Sequence, residues 1–252
     1  MKKQQGAFLI EIILALAMGL LVTASFLQLM AANSQSTFFH EDLSTAQENG
    51  RHSLFLLSRD SRMAGHRTII NLGALEPFYQ GSCGGAAICT FDGGGTDSDQ
   101  VAIQYEPVTG EDCAGNPVRV PELTADVYFV ADDPTNNNIS TLFCRGFDPA
   151  TAIPRGVGRA LVHGVQTLQA IYGVSSTGTN VVDQYLVASA VTDWTRVLSV
   201  RYGVLVSSGF TGRPSDVRTR TFDVLNSGTV SFTDALPRYV YTTTARINNA
   251  GI

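Results

Sequence analysis

The first thirty residues constrain this chain more than any other segment. A short polar stretch containing Lys2 and Lys3 ends at Gly6, and an apolar run over residues 8–30 follows. As a helix, this run would be about 35 Å long at 1.5 Å per residue, which is enough to cross a bilayer. The two lysines predict a cytoplasmic N-terminus, with everything after residue 30 outside the cytoplasm.

One carboxylate, Glu11, lies inside this apolar run. A charged side chain costs about 3 kcal/mol at the centre of a membrane helix and less near its ends, so Glu11 indicates a function. Two other interpretations stay open, a cleaved secretory signal ending near Asn33 and a plain signal anchor. Neither accounts for Glu11 or for Gly6.

The remainder of the chain has the composition of a β-rich, extracytoplasmic domain. Charged residues make up 15% of the sequence, 24 of the 252 residues are glycine, and the net charge is −5. Lysine occurs only at positions 2 and 3, and the arginines form no run, which argues against a nucleic-acid surface. About 220 residues remain after the anchor, enough for one domain with its own core.

A helical pattern continues beyond the apolar run. Apolar or small residues recur every three or four positions at Phe39, Leu43, Ala46, Gly50, Leu54 and Leu57, and Ala64 extends this stripe. The pattern predicts one helix over residues 8–64, capped by Gly65, whose second half packs on a sheet. Gly50 in the apolar stripe indicates either the close approach of a strand or a weak point in the helix.

Short strands and turns are predicted from residue 66 onward. Apolar alternation favours strands at 101–105, 126–130, 198–206, 220–225 and 238–247, and a strand leading into a loop at 159–172. A long N-terminal helix followed by antiparallel strands predicts the α+β class, with the helix packed on an antiparallel β-sheet domain.

Four cysteines are present, Cys83, Cys89, Cys113 and Cys144. An even number in an exported domain predicts two disulfides, and three connectivities are possible. We favour Cys83–Cys89, which closes a small loop through two glycines, together with Cys113–Cys144. A zinc site is disfavoured because the chain has no CxxC spacing with a nearby histidine.

The sequence contains no motif of a known catalytic centre. GxSxG, HExxH and P-loop patterns are absent, so we expect neither an enzyme nor a cofactor. The acidic, glycine-rich stretch 92–99 lacks the residue order of an EF-hand, and we expect a loop without metal. Arg213, Arg218 and Arg220 are the candidates for a DNA-binding surface, and an anchored periplasmic enzyme is a further alternative.

The polar leader ending at Gly6, the apolar run and Glu11 together resemble the N-terminus of type IV prepilins. In that family a prepilin peptidase cuts after the glycine, the first mature residue is N-methylated, and the fifth mature residue is a glutamate. The resemblance implies leader cleavage at Gly6, methylation of Ala7, and contact of Glu11 with a neighbouring subunit's N-terminal amine. Ala7 stands where the family usually has phenylalanine.

Later segments are similar to PilW-type minor pilins. They are Glu48-Asn49-Gly50-Arg51, residues 57–65 (LSRDSRMAG), 164–174 (GVQTLQAIYGV), 194–201 (WTRVLSVR) and 238–244 (RYVYTTT). This resemblance implies a minor pilin that joins an inner-membrane priming complex with other minor pilins and the major pilin, and that enters the pilus at or near its tip. A minor pseudopilin of a type II secretion system, and a DNA-binding or adhesive tip pilin, are the alternatives.

The combined interpretation divides the chain into four parts. Residues 1–6 are a leader, 7–32 a transmembrane or filament-core helix, 33–66 an amphipathic helix half, and 67–252 a β-rich globular domain. We expect a single-pass protein of the inner membrane that later becomes part of the pilus at the cell surface. We expect no nucleic acid among its partners.

Overall fold

The structure, a computed structural model, describes residues 6–68, 75–84, 88–93, 97–208 and 217–250. The chain divides into two compact units, Met1–Ser44 and Thr45–Ile252. One long α-helix, α1 (Gly6–Met63), confirms the helix predicted from the sequence. It ends at the predicted cap, because Gly65 has a φ of +75° and donates its N–H to the carbonyl oxygen of Gln104 at 2.9 Å.

The strands described after α1 pair in antiparallel fashion throughout. They are β1 (Val101–Tyr105), β2 (Thr124–Asp133), β3 (Ile139–Asp148), β4 (Ile153–Pro154), β5 (Arg159–His163), β6 (Val165–Val174), β7 (Gln184–Leu186), β8 (Val197–Ser207), β9 (Arg218–Asp223), β10 (Thr229–Asp234) and β11 (Arg238–Arg246). Two short 3-10 helices, Ala188–Ala190 and Trp194–Arg196, precede β8. The α+β class is confirmed.

Two sheets and one hairpin organise these strands. Sheet 1 has the order β1-β2-β3-β4, with β5 also paired to β3. Sheet 2 has the order β11-β8-β6-β7, and β9 pairs only with β10 among the described strands. Four of the strands predicted from alternation correspond to β1, β2, β8 and β11, and the prediction at 220–225 overlaps β9.

The predicted strand-then-loop at 159–172 is wrong. The structure has two strands there, β5 and β6, separated by Gly164 with a φ of +79°. Gly164 donates its N–H to Ser140 and accepts from the N–H of Ser207, both at 2.8 Å. This single left-handed residue moves the chain from sheet 1 to sheet 2, and glycine adopts that conformation without steric cost.

The second half of α1 packs within the unit Thr45–Ile252. Ala46, Leu57 and Ala64 of the predicted stripe are fully buried, whereas Phe39 is 52% exposed, so that part of the prediction was wrong. Gly50 lies on the same buried face. A Cβ at Gly50 would overlap the ring of Tyr241 on β11, which confirms the predicted close approach of a strand.

Polar side chains attach the last turns of α1 to both sheets. Asp60 accepts hydrogen bonds from the hydroxyl of Tyr128 on β2 and, at 2.6 Å, from Nε of Arg59. The hydroxyl of Ser61 lies 2.7 Å from that of Tyr202 on β8. Burial raises the pKa of both tyrosines, so their hydroxyls stay protonated. Sheet 1 and sheet 2 are therefore both held by one helix.

A second buried carboxyl group, Asp126 on β2, lies close to this contact. It accepts hydrogen bonds from the hydroxyl of Tyr105 at 2.6 Å, the hydroxyl of Thr124 at 3.0 Å and the N–H of Cys113 at 3.0 Å. Desolvation by burial raises the pKa of Asp126 to about 7, more than these hydrogen bonds lower it. The protein therefore contains an acidic group that is costly to ionise when folded.

Residues of α1 and of both sheets share one large buried apolar cluster. Its aromatic centre is formed by Phe78, Tyr172 and Trp194, with Tyr172 in edge contact with the other two rings at centroid distances of 4.9 and 4.7 Å. Leu57 of α1 belongs to the same buried cluster. The helix is thus part of the core of this unit, not an addition to its surface.

We predict that Gly50→Ala destabilises the protein even though alanine favours helix by about 1 kcal/mol. The new methyl group must displace the ring of Tyr241, and overpacking of this kind costs about 1–3 kcal/mol. Thermal unfolding of the full-length protein in detergent should show a lower midpoint. Gly19→Ala is the matched control, since a Cβ there meets no atom within 4 Å. If Gly50→Ala raises the midpoint as much as the control does, the contact with Tyr241 is not restrictive.

We also predict that the ionisation of Asp126 lowers the free energy of unfolding at high pH, and that Asp126→Asn removes this loss. Because the folded pKa is raised above the unfolded value near 4, the stability contributed by protonated Asp126 is present below about pH 4 and is lost as the pH rises through about 7. The asparagine can keep the bonds to Tyr105, Cys113 and Thr124. In urea unfolding at pH 4, 5.5 and 8, the free energy of unfolding of the variant should rise relative to that of the native protein as the pH increases, by at most about 4 kcal/mol.

The control for this experiment is Asp223→Asn, an exposed carboxylate at the end of β9. Comparing the two variants separates the effect of a buried carboxyl group from that of the substitution itself. Parallel stability curves for Asp126→Asn and the native protein would contradict the prediction.

Candidate assembly helix

The first half of α1 presents a predominantly apolar surface. Its large apolar side chains are each 45–70% exposed; they are Phe8, Leu9, Ile10, Ile12, Ile13, Leu14, Leu16, Met18, Leu20, Leu21, Val22, Phe26, Leu27, Leu29 and Met30. The helix is long and apolar enough to cross a membrane, and none of its most apolar stretch is buried. This segment is a candidate membrane anchor.

Hydroxyl groups within the apolar segment bond to the helix itself. Thr23 donates to the carbonyl oxygen of Gly19 and Ser25 to that of Leu21, each at 2.9 Å. Such bonds to the preceding turn satisfy a hydroxyl donor where no water is available. These two residues therefore add no polar surface that needs a partner.

Glu11 is the exception in this segment. The residue is exposed on the helix surface, and residues 6–30 contain no lysine, arginine or histidine to form an ion pair with it. The side chains one turn away, Phe8, Leu14 and Ala15, are apolar. A cation for this carboxylate has to come from outside the segment.

The leader residues that precede α1 lie outside the described part of the chain. The helix begins at Gly6, but residues 1–5 and the side chain of Ala7 are not described. The expected cleavage after Gly6 and methylation of Ala7 therefore stay predictions.

The structure contains the disulfides Cys83–Cys89 and Cys113–Cys144, the pairs favoured from the sequence. Cys144 is on β3, and Cys113 is in the loop between β1 and β2. The backbone N–H of Cys113 donates to Asp126. Cys89 and Cys144 are fully buried. Cys113–Cys144 ties a turn-rich loop to β3, and Cys83–Cys89 closes a short loop outside the strands. A bridge of this kind typically stabilises by about 2–4 kcal/mol.

In the acidic loop 92–99, the carboxylate of Asp99 is bound by backbone groups of the protein. Asp99 is buried and accepts the N–H of Gly93 at 2.9 Å and that of Ala170 on β6 at 2.7 Å. Burial raises the pKa of Asp99 to about 7. Within the described residues, which omit 94–96 of this loop, no three potential metal ligands of the His, Cys, Asp or Glu type come together. Asp99 thus connects the loop to sheet 2.

The arginines considered for DNA binding are only partly described. Arg213 lies in the stretch 209–216, which is outside the described residues. Arg218 and Arg220 lie on β9, and Arg220 donates to the carbonyl oxygen of Asp234 at 3.3 Å. Arg220 therefore supports the β9–β10 hairpin.

Sequence reasoning missed the polar groups that fix the helix in the domain. Asp60, Ser61 and Asp126 are buried, yet each looks like a surface residue in the sequence. One signal was present in the helical spacing, which places Ser53 on the same face as Ala46, Gly50 and Leu57. This spacing could have indicated that polar side chains are buried on that face. The identity of the tyrosine partners was not readable, because they come from strands that are distant in sequence.

Comparison with known proteins bears on the C-terminal half of the chain. A family model described as Type IV Pilus-assembly protein W matches residues 127–249. A type IV-like pilin from Thermus thermophilus is a structural neighbour with 12% sequence identity and a TM-score of 0.44, covering 81% of this chain and 97% of that one. No curated protein matches significantly.

The matched region runs from within β2 to just beyond β11 and so includes all of sheet 2. It contains three of the segments that suggested the resemblance, 164–174, 194–201 and 238–244. The family match confirms, over residues 127–249, the resemblance to type IV pilus-assembly protein W that the sequence motifs indicate.

Proposed function

We propose that this protein is a minor pilin that joins an inner-membrane priming complex and enters the type IV pilus at or near its tip. The observation that carries the proposal is the exposed apolar half of α1 with Glu11 as its one carboxylate, in a chain that matches a pilus-assembly family. Its expected partners are other minor pilins, the major pilin and the prepilin peptidase. The β-rich domain would lie in the periplasm before assembly.

The apolar half of α1 suits a protein that leaves the membrane for a filament. Its side chains are exposed around the whole helix, so lipid must cover them before assembly. Neighbouring helices of the same kind can cover them afterwards. The apolar surface then stays out of water in both states, and the transfer does not incur the full hydrophobic cost.

Glu11 gives such a packing a defined register. In lipid its charge is unfavourable, and facing the amine of a neighbour's first mature residue it becomes part of an ion pair. Other alignments of the two helices leave the carboxylate unpaired and are penalised. A subunit at the very tip would use this contact on one side only.

We predict that the mature protein begins at Ala7 and carries a methylated amine. Intact-mass measurement of protein purified from cell membranes should show the loss of residues 1–6 and the addition of one methyl group. Gly6→Leu should leave the full-length protein in the membrane, whereas Gly19→Ala, in the same helix, should be processed normally. A mature protein beginning at Asn33 would indicate an ordinary secretory signal and contradict this prediction.

We predict that Glu11→Ala leaves folding and membrane insertion intact and reduces pilus assembly at least tenfold. The readout is the number of surface pili in a strain that lacks the gene and carries the variant. Ser25→Ala is the control, because that hydroxyl bonds only to its own helix and its loss should have no effect.

Two outcomes of this experiment would count against the proposal in different ways. Normal piliation with Glu11→Ala would show that Glu11 has no role in assembly. Normal piliation after deletion of the whole gene would remove the priming role itself.

A further inference from the structure

Strand β11 forms one edge of sheet 2, and its pattern of hydrogen bonds shows which backbone groups face outward. The N–H of Ile247, just after β11, donates to Leu198 on β8 at 2.8 Å. Hydrogen-bonded pairs alternate along an antiparallel ladder, so the odd-numbered residues of β11 bond to β8. The N–H and C=O groups of Val240, Thr242 and Thr244 therefore point away from the sheet.

This edge is long and regular. β11 pairs with β8 over nine residues without a shift in register, and it contains neither proline nor glycine. Among the described residues, none forms a backbone hydrogen bond with the outward side of Val240, Thr242 or Thr244. Thr242 and Thr244 are also exposed. An edge of this kind is a ready template for another strand.

Two other sheet edges of the domain are covered or short. The outer side of β1 is occupied by the segment before it, since Tyr79 donates to Ala102 at 2.8 Å and Gln104 donates to Pro77 at 3.0 Å. At the opposite edge of sheet 2, β7 has only three residues. The edge of β11 is longer than that of β7 and, among the described residues, is not covered as that of β1 is.

We propose that the edge of β11 binds an extended segment of another pilus subunit, which adds a strand to sheet 2. The backbone groups of β11 supply the hydrogen bonds, and the exposed threonines favour an uncharged, β-prone stretch of the partner opposite them. Exposed Arg246 at the end of the strand calls for a carboxylate on the partner. The proposal rests on the proposed role in pilus assembly, because that role supplies the neighbouring subunits.

Charge favours a different subunit over a second copy of this chain. Two copies of β11 pairing antiparallel about Thr242 would place Arg246 of one opposite Arg238 of the other, and like charges at opposed positions are unfavourable. Arg238 is held by Asp234 at 2.6 and 2.7 Å and lies over the ring of Phe232 at 3.8 Å. A copy of this strand therefore offers Arg246 no acidic partner.

The first test is Thr242→Pro in the full-length chain. Proline removes an N–H that points outward, so the ladder with β8 keeps its bonds while an added strand loses one and meets the ring. Thr242→Val keeps the N–H and is the matched control. The variants are expressed in a strain that lacks the gene, and their amount in sheared pili is measured relative to the major pilin. We expect at least a tenfold loss for Thr242→Pro and none for Thr242→Val.

A second pair of variants covers the possibility that Thr242→Pro does not fold, which its thermal midpoint in detergent would reveal. Arg246→Glu reverses the exposed charge without touching the backbone, and Arg246→Lys retains that charge. We expect Arg246→Glu to reduce incorporation several-fold and Arg246→Lys to preserve it. The proposal is wrong if folded Thr242→Pro enters pili at the native level, or, where Thr242→Pro is unfolded, if Arg246→Glu does so.

Two further outcomes separate this proposal from its alternatives. A homodimer of the purified protein in detergent that Thr242→Pro abolishes would assign the edge to a second copy and overturn the proposal. A defect in Glu11→Ala combined with normal incorporation of Thr242→Pro would reject the edge contact alone and leave the proposed function standing.

Discussion

The contact between the last turns of α1 and the two sheets is the interaction on which the rest of the globular unit depends. Asp60 accepts a hydrogen bond from the hydroxyl of Tyr128 in sheet 1, and Ser61 is hydrogen-bonded to the hydroxyl of Tyr202 in sheet 2. Leu57 fills the core between them. Without the helix, the two buried hydroxyls of Tyr128 and Tyr202 and a large apolar surface would lose their partners together, and each such hydroxyl costs about 1–3 kcal/mol when left unsatisfied.

This arrangement gives one helix two distinct tasks. The part within the unit Thr45–Ile252 is fixed by steric fit at Gly50 and by directional hydrogen bonds. The part within residues 6–30 has mainly apolar side chains and Glu11 as its one charged group, so its contacts are made with lipid or with other helices. If β11 also receives a strand, a neighbouring subunit would be held at the core helix and at the sheet edge, and each contact would restrict the geometry of the other.

Sequence alone predicted those strands in which apolar and polar residues alternate or apolar residues dominate. β1, β8 and β11 were found this way, with ends within one or two residues. β3 was not assigned, because Cys144, Arg145 and Gly146 interrupt its apolar pattern. β6 was misjudged because it is buried on both faces, which removes the period of two, and because the turn at Gly164 hides the boundary with β5.

The sequence by itself determined the apolar helix, the position of Glu11 within it, the helix cap at Gly65 and the α+β class. These are local properties, set by composition, spacing and the conformational freedom of single residues. The tertiary structure decided which polar residues are buried, that Asp126 is surrounded by three donors, and that β11 instead of β8 lies at an edge. Those features depend on contacts between residues far apart in the chain, and no short-range pattern encodes which strand will lie beside which.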